Sequence, residues 1–213
     1  MTAVGLDWAM WMRRSLLSLL LVWVLPVSAG EGDLDQAIWE PAREDRGVEV
    51  FTADIPGSKF LAFQATTVIA APVADVLAVL TEHPKYPGWY DNCAEVELIE
   101  YQQPDTAFIR VVVKTPFPWA DREAVNRVTV VEGEQLTRVV LASEPNHIRL
   151  TPGLVRMQIA KGSWLLTPLP EGTKIVHTYH GDPMIRVPAW LVNRFVVDGP
   201  INTLANLRKR VEG

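Results

Sequence analysis

Alternating apolar and polar residues predict β-strands along most of this chain. Residues 48–52 and 60–69 alternate in this way. Six further strands are predicted over 95–101, 107–114, 123–131, 135–142, 154–168 and 173–180. Because short turns join these six runs and parallel pairing needs long crossovers, we expect an antiparallel sheet.

Two segments have apolar residues at the three- and four-residue spacing of a helix. Val73, Val76, Leu77 and Leu80 predict a short helix over 72–82, and a longer apolar stripe predicts a C-terminal helix over 188–211. Segment 83–92 is rich in proline, glycine and aromatic residues, which favours a loop or a broken helix. Residues 30–47 are mostly polar and are predicted to be an N-terminal extension with a short helix.

The first 29 residues have the pattern of a secretory signal peptide. Arg13 and Arg14 precede an apolar run over 15–25, and a small-residue site follows over 27–29. The alternative is an uncleaved anchor, although the run is shorter than the roughly 20 apolar residues that span a bilayer. No cysteine lies near the cleavage site. We therefore expect a periplasmic or secreted protein whose folded domain occupies residues 48–213.

Charge and cysteine content narrow the classes of partner. The net charge of −5 argues against a nucleic-acid partner, because such binding depends on Lys and Arg neutralising phosphates. Cys93 is the only cysteine, so it cannot form an intramolecular disulfide. His177 and His180 are three residues apart on a predicted strand and point to opposite faces, which makes them a poor metal pair. We expect a monomer without a metal or cofactor.

One motif resembles a known family. Residues 113–123 read VKTPFPWADRE, which resembles the V-K-x-P-F-P-x-x-x-R-D segment of phosphatidylcholine-transfer-type proteins, with Glu123 replacing the usual aspartate. Weaker similarities follow in the right order at residues 162–164 and 190–200. The chain is identified on this basis as a bacterial exported member of the START (StAR-related lipid-transfer) family.

The resemblance has implications for both fold and function. It implies an α+β helix-grip fold, in which a curved antiparallel β-sheet is wrapped around a long C-terminal helix. It also implies binding, and in some members transfer, of a phospholipid, sterol or other apolar molecule, without catalysis and without a cofactor.

Three predicted strands present an apolar face that one helix is too narrow to cover. These faces comprise Leu61, Phe63 and Ile69; Ile109, Val111 and Val113; and Val155, Met157 and Ile159. Since an amphipathic helix has an apolar stripe of only about 100°, we expect an interior cavity. The residues predicted to contact a ligand there are Phe63, Trp89, Tyr90, Ile109, Arg110, Val111, Val113, Trp119, Arg127, Met157, Ile159, Phe195, Val196 and Leu204.

Specific roles are predicted for the aromatic and charged members of this set. Trp89, Tyr90 and Trp119 are candidates for the mouth or a lid, where transient membrane contact would occur. Arg110 or Arg127 could point inward to a lipid headgroup. The alternatives are ordinary core packing for the apolar residues and a solvated outer face for the arginines.

Two other functional classes remain open at this point. A helix-grip enzyme, such as a cyclase or hydrolase of an apolar substrate, would need an acid and a base that converge in the cavity. A ligand-free module of the cell envelope would instead present its sheet or helix to another protein.

Overall fold

The computed structural model describes residues 32–186 and 189–213. The predicted signal peptide and Pro188, the predicted start of the terminal helix, lie outside these residues.

Ten strands of the described residues form one curved sheet that does not close. They are β1 (Glu40–Asp45), β2 (Val48–Ala53), β3 (Ala62–Ile69), β4 (Cys93–Gln103), β5 (Thr106–Val113), β6 (Arg122–Val131), β7 (Thr137–Ser143), β8 (Val155–Arg156), β9 (Ala160–Leu169) and β10 (Gly172–Gly181). Their order is β1-β2-β3-β10-β9-β7-β6-β5-β4, and every pair along this path is antiparallel. The short β8 pairs in parallel with β6. The predicted α+β helix-grip class, with its antiparallel sheet, is confirmed.

Strand β1 was not predicted, and the sheet therefore begins at Glu40 rather than at residue 48. Its residues Glu40–Asp45 are almost all exposed at one edge of the sheet. An exposed edge strand buries no alternate residues, so it leaves no hydrophobic periodicity in the sequence. Pro41 is compatible with an edge because the pairing with β2 shifts register beside it.

The strand predicted over 154–168 is two strands separated by a break. Met157, Gln158 and Ile159 lie between β8 and β9 and belong to neither. A regular alternation of buried and more exposed side chains begins again at Ala160. A prediction that continues the alternation of β8 through the break therefore assigns Ile159 to the wrong face of the sheet.

The two helices predicted from the spacing of apolar residues are present, within one residue of the predicted bounds. Helix α1 covers Gly32–Asp35, α2 covers Val73–Thr81, a 3₁₀ helix covers His83–Gly88, and α3 covers Ala189–Glu212. Val76 and Leu80 are the buried residues of α2. Helix α3 packs mainly on β2 and β3, and its residues Ile201, Leu204 and Leu207 are buried there. No helix among the described residues has the length and apolarity needed to cross a bilayer.

Gly162 allows β9 and β10 to approach closely on the inner side of the sheet. A Cβ atom at this position would lie 2.1 Å from the Thr178 carbonyl oxygen, which is inside van der Waals contact. Glycine within a strand commonly marks a bend or a close backbone approach. The next inward-facing residue, Trp164, is 1% exposed and lies directly opposite His177.

Candidate functional site

An apolar pocket lies between the sheet and the first half of α3. Its volume is about 530 Å³, within the range of about 300–1,000 Å³ typical of ligand sites. The pocket exists because α3 covers β2 and β3, while the inner faces of β5, β6, β9 and β10 continue beyond it. A loop over residues 114–121, which joins β5 to β6, contributes to the rim.

Most of the predicted ligand-contact residues lie around this pocket. Those that line it are Phe63, Tyr90, Ile109, Val111, Val113, Trp119, Met157, Phe195 and Val196. They come from β3, β5, α3 and three connecting segments, so the fold brings together residues that are far apart in the chain. Their contact with a ligand stays a prediction.

Trp89 and Leu204 belong to the packed core and not to the pocket lining. Trp89 is 3% exposed and packs edge-on against Tyr86 and Trp164, with ring centroids 4.9 and 6.3 Å away. Leu204 is completely buried on α3. The 3₁₀ helix turns Trp89 inward, so it cannot form the predicted mouth.

Arg110, Arg127 and Ile159 also lie outside the pocket. Arg110 points to the outer face of β5, where it forms ion pairs with Glu95 and Glu97 of β4 at 2.6 and 2.8 Å. Arg127 pairs with Glu144 at 3.3 Å. Ile159 is 38% exposed because of the break between β8 and β9. The predicted inward-pointing headgroup arginine is therefore wrong for both Arg110 and Arg127.

Sequence reasoning missed several residues of the lining. Trp164, Tyr179 and Tyr86 contribute aromatic surface, and Arg122 contributes a cation. Trp164 and Tyr179 follow the same alternation that identified Val111, so strand parity on β9 and β10 would have found them. Arg122 carries no such signal, since it stands at the first residue of β6 beside a loop.

A hydrogen-bonded histidine lies behind the aromatic wall. His177 stacks on Trp164 with ring centroids 3.6 Å apart, and its Nδ1 lies 3.1 Å from the Ser163 carbonyl oxygen. Because a carbonyl oxygen only accepts, Nδ1 carries the proton and Nε2 accepts from the Tyr90 hydroxyl at 3.4 Å. Burial lowers the pKa of His177 to about 3, against the opposing effect of the Ser163 hydrogen bond. The imidazole is therefore neutral at physiological pH.

We expect His177 to make the fold sensitive to mild acid. The unfolded chain takes up a proton near pH 6.5 and the folded one does not, so stability is lost as the pH falls below 6.5 toward the folded pKa. Between pH 7 and 5.5 this one residue should remove about 1.2 kcal/mol of unfolding free energy. The unfolding free energies of the native protein and of His177→Gln should be measured by urea denaturation at both pH values. The loss between pH 7 and 5.5 should be about 1.2 kcal/mol smaller in the variant than in the native protein. The matched control is His147→Gln, at a partly exposed histidine, and an equal reduction there would contradict the assignment.

Neither a thiol nor a metal cluster forms part of the pocket within the described residues. The thiol of Cys93 is buried, which raises its pKa to about 11, and it is not part of the pocket lining. No group of three His, Cys, Asp or Glu side chains in residues 32–186 and 189–213 is placed to hold a metal ion. The residues that line the pocket are mainly apolar, with a smaller number of polar and charged side chains among them.

Comparison with known proteins agrees with this geometry. An uncharacterized protein of Pseudomonas aeruginosa is 32% identical over 176 residues, covering 82% of this chain and 87% of that protein. The phosphatidylcholine transfer protein of Bos taurus is 25% identical over 184 residues, covering 83% and 85% respectively. The crystal structure of a STAR-related lipid transfer protein from Xanthomonas axonopodis superposes with a TM-score of 0.76 at 27% identity, covering 82% of this chain and 99% of that one.

A family model described as polyketide cyclase/dehydrase and lipid transport matches residues 61–212. That match includes β3 to β10 and all of α3, and so all the strands that line the pocket. The chain belongs to this family, and its fold is that of the START lipid-transfer proteins.

Proposed function

We propose that this protein binds a lipid or another hydrophobic molecule in the pocket under α3 and carries it without changing it chemically. The observation that carries the proposal is the apolar space of about 530 Å³ bounded by the inner face of the sheet. Burying a ligand's apolar surface contributes about 25 cal/mol per Å², which offsets the costs of association once a few hundred Å² are covered.

Two further observations support carriage over catalysis. A START-like fold has a hydrophobic ligand-binding role, and one relative is a phosphatidylcholine transfer protein. In addition, the Tyr90 hydroxyl of the lining donates to the neutral imidazole of His177, so this pair carries no charge for acid–base chemistry at neutral pH. The N-terminal sequence leads us to place this activity in the periplasm or outside the cell.

Organic extraction of the purified protein followed by mass spectrometry tests the proposal. An unmodified lipid or other apolar molecule in stoichiometric amount is the expected result. Because the family description also includes cyclases, a chemically altered product that accumulates during incubation would instead support an enzyme. Empty protein that also fails to take up lipid from vesicles would support a ligand-free interaction module.

The loop over residues 114–121 is the proposed contact with a membrane during loading. Phe117 at its tip is 95% exposed, and Trp119 is 38% exposed while also lining the pocket. A large apolar side chain on a rim is suited to insertion among lipid headgroups, as burying a Phe contributes about 1.5–3 kcal/mol.

We expect Phe117→Ser to slow the transfer of a fluorescent lipid between vesicles by roughly tenfold. The amount of lipid bound at equilibrium should not change, because Phe117 does not line the pocket. Tyr101→Ser is the matched control, since Tyr101 is 63% exposed at the far end of β4. Equal slowing in both variants would contradict a specific role for the loop.

A further inference from the structure

Arg122 places a buried cation in the wall of an otherwise apolar pocket. The residue is 4% exposed and begins β6, with its side chain on the same face as the pocket-lining Ala124. Guanidinium groups keep their charge under all physiological conditions. Burial lowers the pKa of Arg122, and the charge of the neighbouring Asp121 partly opposes that shift.

The hydrogen bonds of Arg122 leave part of its guanidinium unused. Nε donates to the Pro183 carbonyl oxygen at 2.7 Å, and Nη1 donates to the Ala120 carbonyl oxygen. No described residue accepts a hydrogen bond from Nη2, and no described carboxylate forms an ion pair with the group. Asp121 accepts instead from the Thr115 amide at 2.8 Å.

Three other arginines of the sheet have carboxylate partners for their guanidinium groups. Arg156 is also buried, and it pairs with Glu123 at 2.9 Å. Arg110 and Arg127 on the outer face have carboxylate partners as well. A buried charge without an ion-pair partner is expensive, and Asp121 acts on Arg122 without forming an ion pair with it. An arginine placed in this way in a ligand pocket can accept an anion from outside the chain as its partner.

The other charges around the pocket are compatible with that anion. Lys114 also lines the pocket, so a second cation stands near the loop end of the site. The one described acidic residue of the lining, Asp91, accepts from the Asn92 side chain at 2.8 Å and lies beside Gly199 of α3.

We propose that Arg122 binds an anionic group of the ligand, and that the natural ligand is therefore an amphiphile with a carboxylate or phosphate rather than a neutral lipid. This inference rests on the proposed function and adds the chemical class of the ligand. The anionic group accepts from Nη2 at the end of the pocket beneath the loop, and the chain of the ligand lies along the inner faces of β5 and β6. Charge-assisted bonds of this kind are short and directional, so they orient the ligand in the pocket.

Three probes with the same sixteen-carbon chain test the inference: palmitate, palmitoyl lysophosphatidate and uncharged hexadecanol. Affinities are measured at pH 7.5 by displacement of a fluorescent lipid from the purified protein. We expect the native protein to bind at least one anionic probe about tenfold or more tighter than hexadecanol, since a hydrogen bond to a charged group has that order of effect. The two anionic arms distinguish a fatty acid from a phospholipid as the source of the charge.

Arg122→Gln should remove this preference and leave the affinity for hexadecanol unchanged. Arg122→Lys keeps the charge and should restore part of the preference. Arg127→Gln, on the same strand but the outer face, is the matched control and should alter none of the affinities. Unchanged hexadecanol binding also shows that the variant pocket is folded.

Several results would overturn the inference. Equal affinities of the native protein for all three probes would reject it while leaving the carrier function intact. The inference is also rejected, with the carrier function intact, if Arg122→Gln lowers the affinities for hexadecanol and for the anionic probes equally. Arg122 would then only stabilise the segments of Ala120 and Pro183 through its hydrogen bonds. Failure of the native protein to bind any of the probes would count against the proposed function itself.

Discussion

Val111→Trp should lower the affinity for the bound lipid by about fiftyfold while the protein remains folded. Val111 lies on the inner face of β5, half-buried and lining the pocket, opposite Val96 of β4 and Ala124 of β6. Val111 and the small Ala124 beside it both line the pocket, so an indole at position 111 would occupy space that is open to the ligand. Excluding three methylene groups of a ligand from that space costs about 2.4 kcal/mol, which corresponds to that factor.

Val111 is a better site for this experiment than Met157. Met157 is 7% exposed and its Cε would lie 2.9 Å from a Cβ atom at Gly181, so the protein already packs closely around it. Overfilling such a position costs about 1–3 kcal/mol of stability, which would confuse loss of binding with loss of folding.

Lipid uptake from vesicles and the midpoint of urea denaturation should be measured together for Val111→Trp. Val68→Trp is the matched control, because Val68 is a 40%-exposed valine on the outer face of β3. Full uptake in a folded Val111→Trp protein would mean that the ligand does not occupy the pocket under α3.

Strand alternation located the wall of this pocket but not its extent. Ile109, Val111 and Val113 were assigned to one inner face, and the register with β6 places them there. The same rule puts Arg110 on the opposite face, where Glu95 and Glu97 neutralise it. The alternation of side chains between the two faces of a sheet therefore predicts their direction reliably within a continuous strand, but not across a break.

The features of the pocket that the sequence could not predict depend on contacts between segments that are distant in the chain. The position of α3 over β2 and β3 decides which inner faces are covered and which border empty space. Periodicity gives the apolar stripe of a helix but not the strand on which it packs. Trp89 illustrates the same limit, because only the turn of the 3₁₀ helix directs it into the core.

The segment before β9 holds a second buried arginine that bears on stability rather than on binding. Arg156 donates from Nε and Nη2 to one oxygen of Glu123 at 3.0 and 2.9 Å, and its other hydrogen bonds reach the carbonyl oxygens of Pro145, Ile148 and Arg149. This pair fixes the connection between β7 and β8 onto the outer face of β6. Glu123 itself is completely buried.

The surroundings of Glu123 favour its ionised form. Burial alone would raise the pKa of Glu123, but the hydrogen bonds from Thr151 and Arg156 and the charge of Arg156 outweigh it and hold that pKa below its usual value of 4.5. A carboxyl whose folded pKa is depressed contributes stability that is present above the unfolded pKa and is lost as the pH falls through the folded one. The native protein should therefore lose this contribution below about pH 4.5.

Arg156→Ala should lower the unfolding free energy at pH 7 by about 3–5 kcal/mol, because it leaves Glu123 as an unpaired buried charge. In the variant, burial raises the pKa of Glu123, and its protonation relieves that cost. The stability deficit should consequently shrink as the pH falls from 7 toward 4.5. Arg127→Ala removes a half-exposed ion pair with Glu144 and should cost less than about 1 kcal/mol.

Replacing both Glu123 and Arg156 separates the cost of an unpaired buried charge from the loss of the hydrogen bonds that Arg156 donates to backbone carbonyl oxygens. Glu123→Leu combined with Arg156→Met leaves no buried charge, and paired replacements of this kind are often close to neutral. We expect the double variant to be at least about 2 kcal/mol more stable than Arg156→Ala, with the remaining deficit due to the three carbonyl oxygens that Arg156 held. If the double variant is no more stable than Arg156→Ala, the carbonyl contacts, and not the buried pair, hold this connection to the sheet.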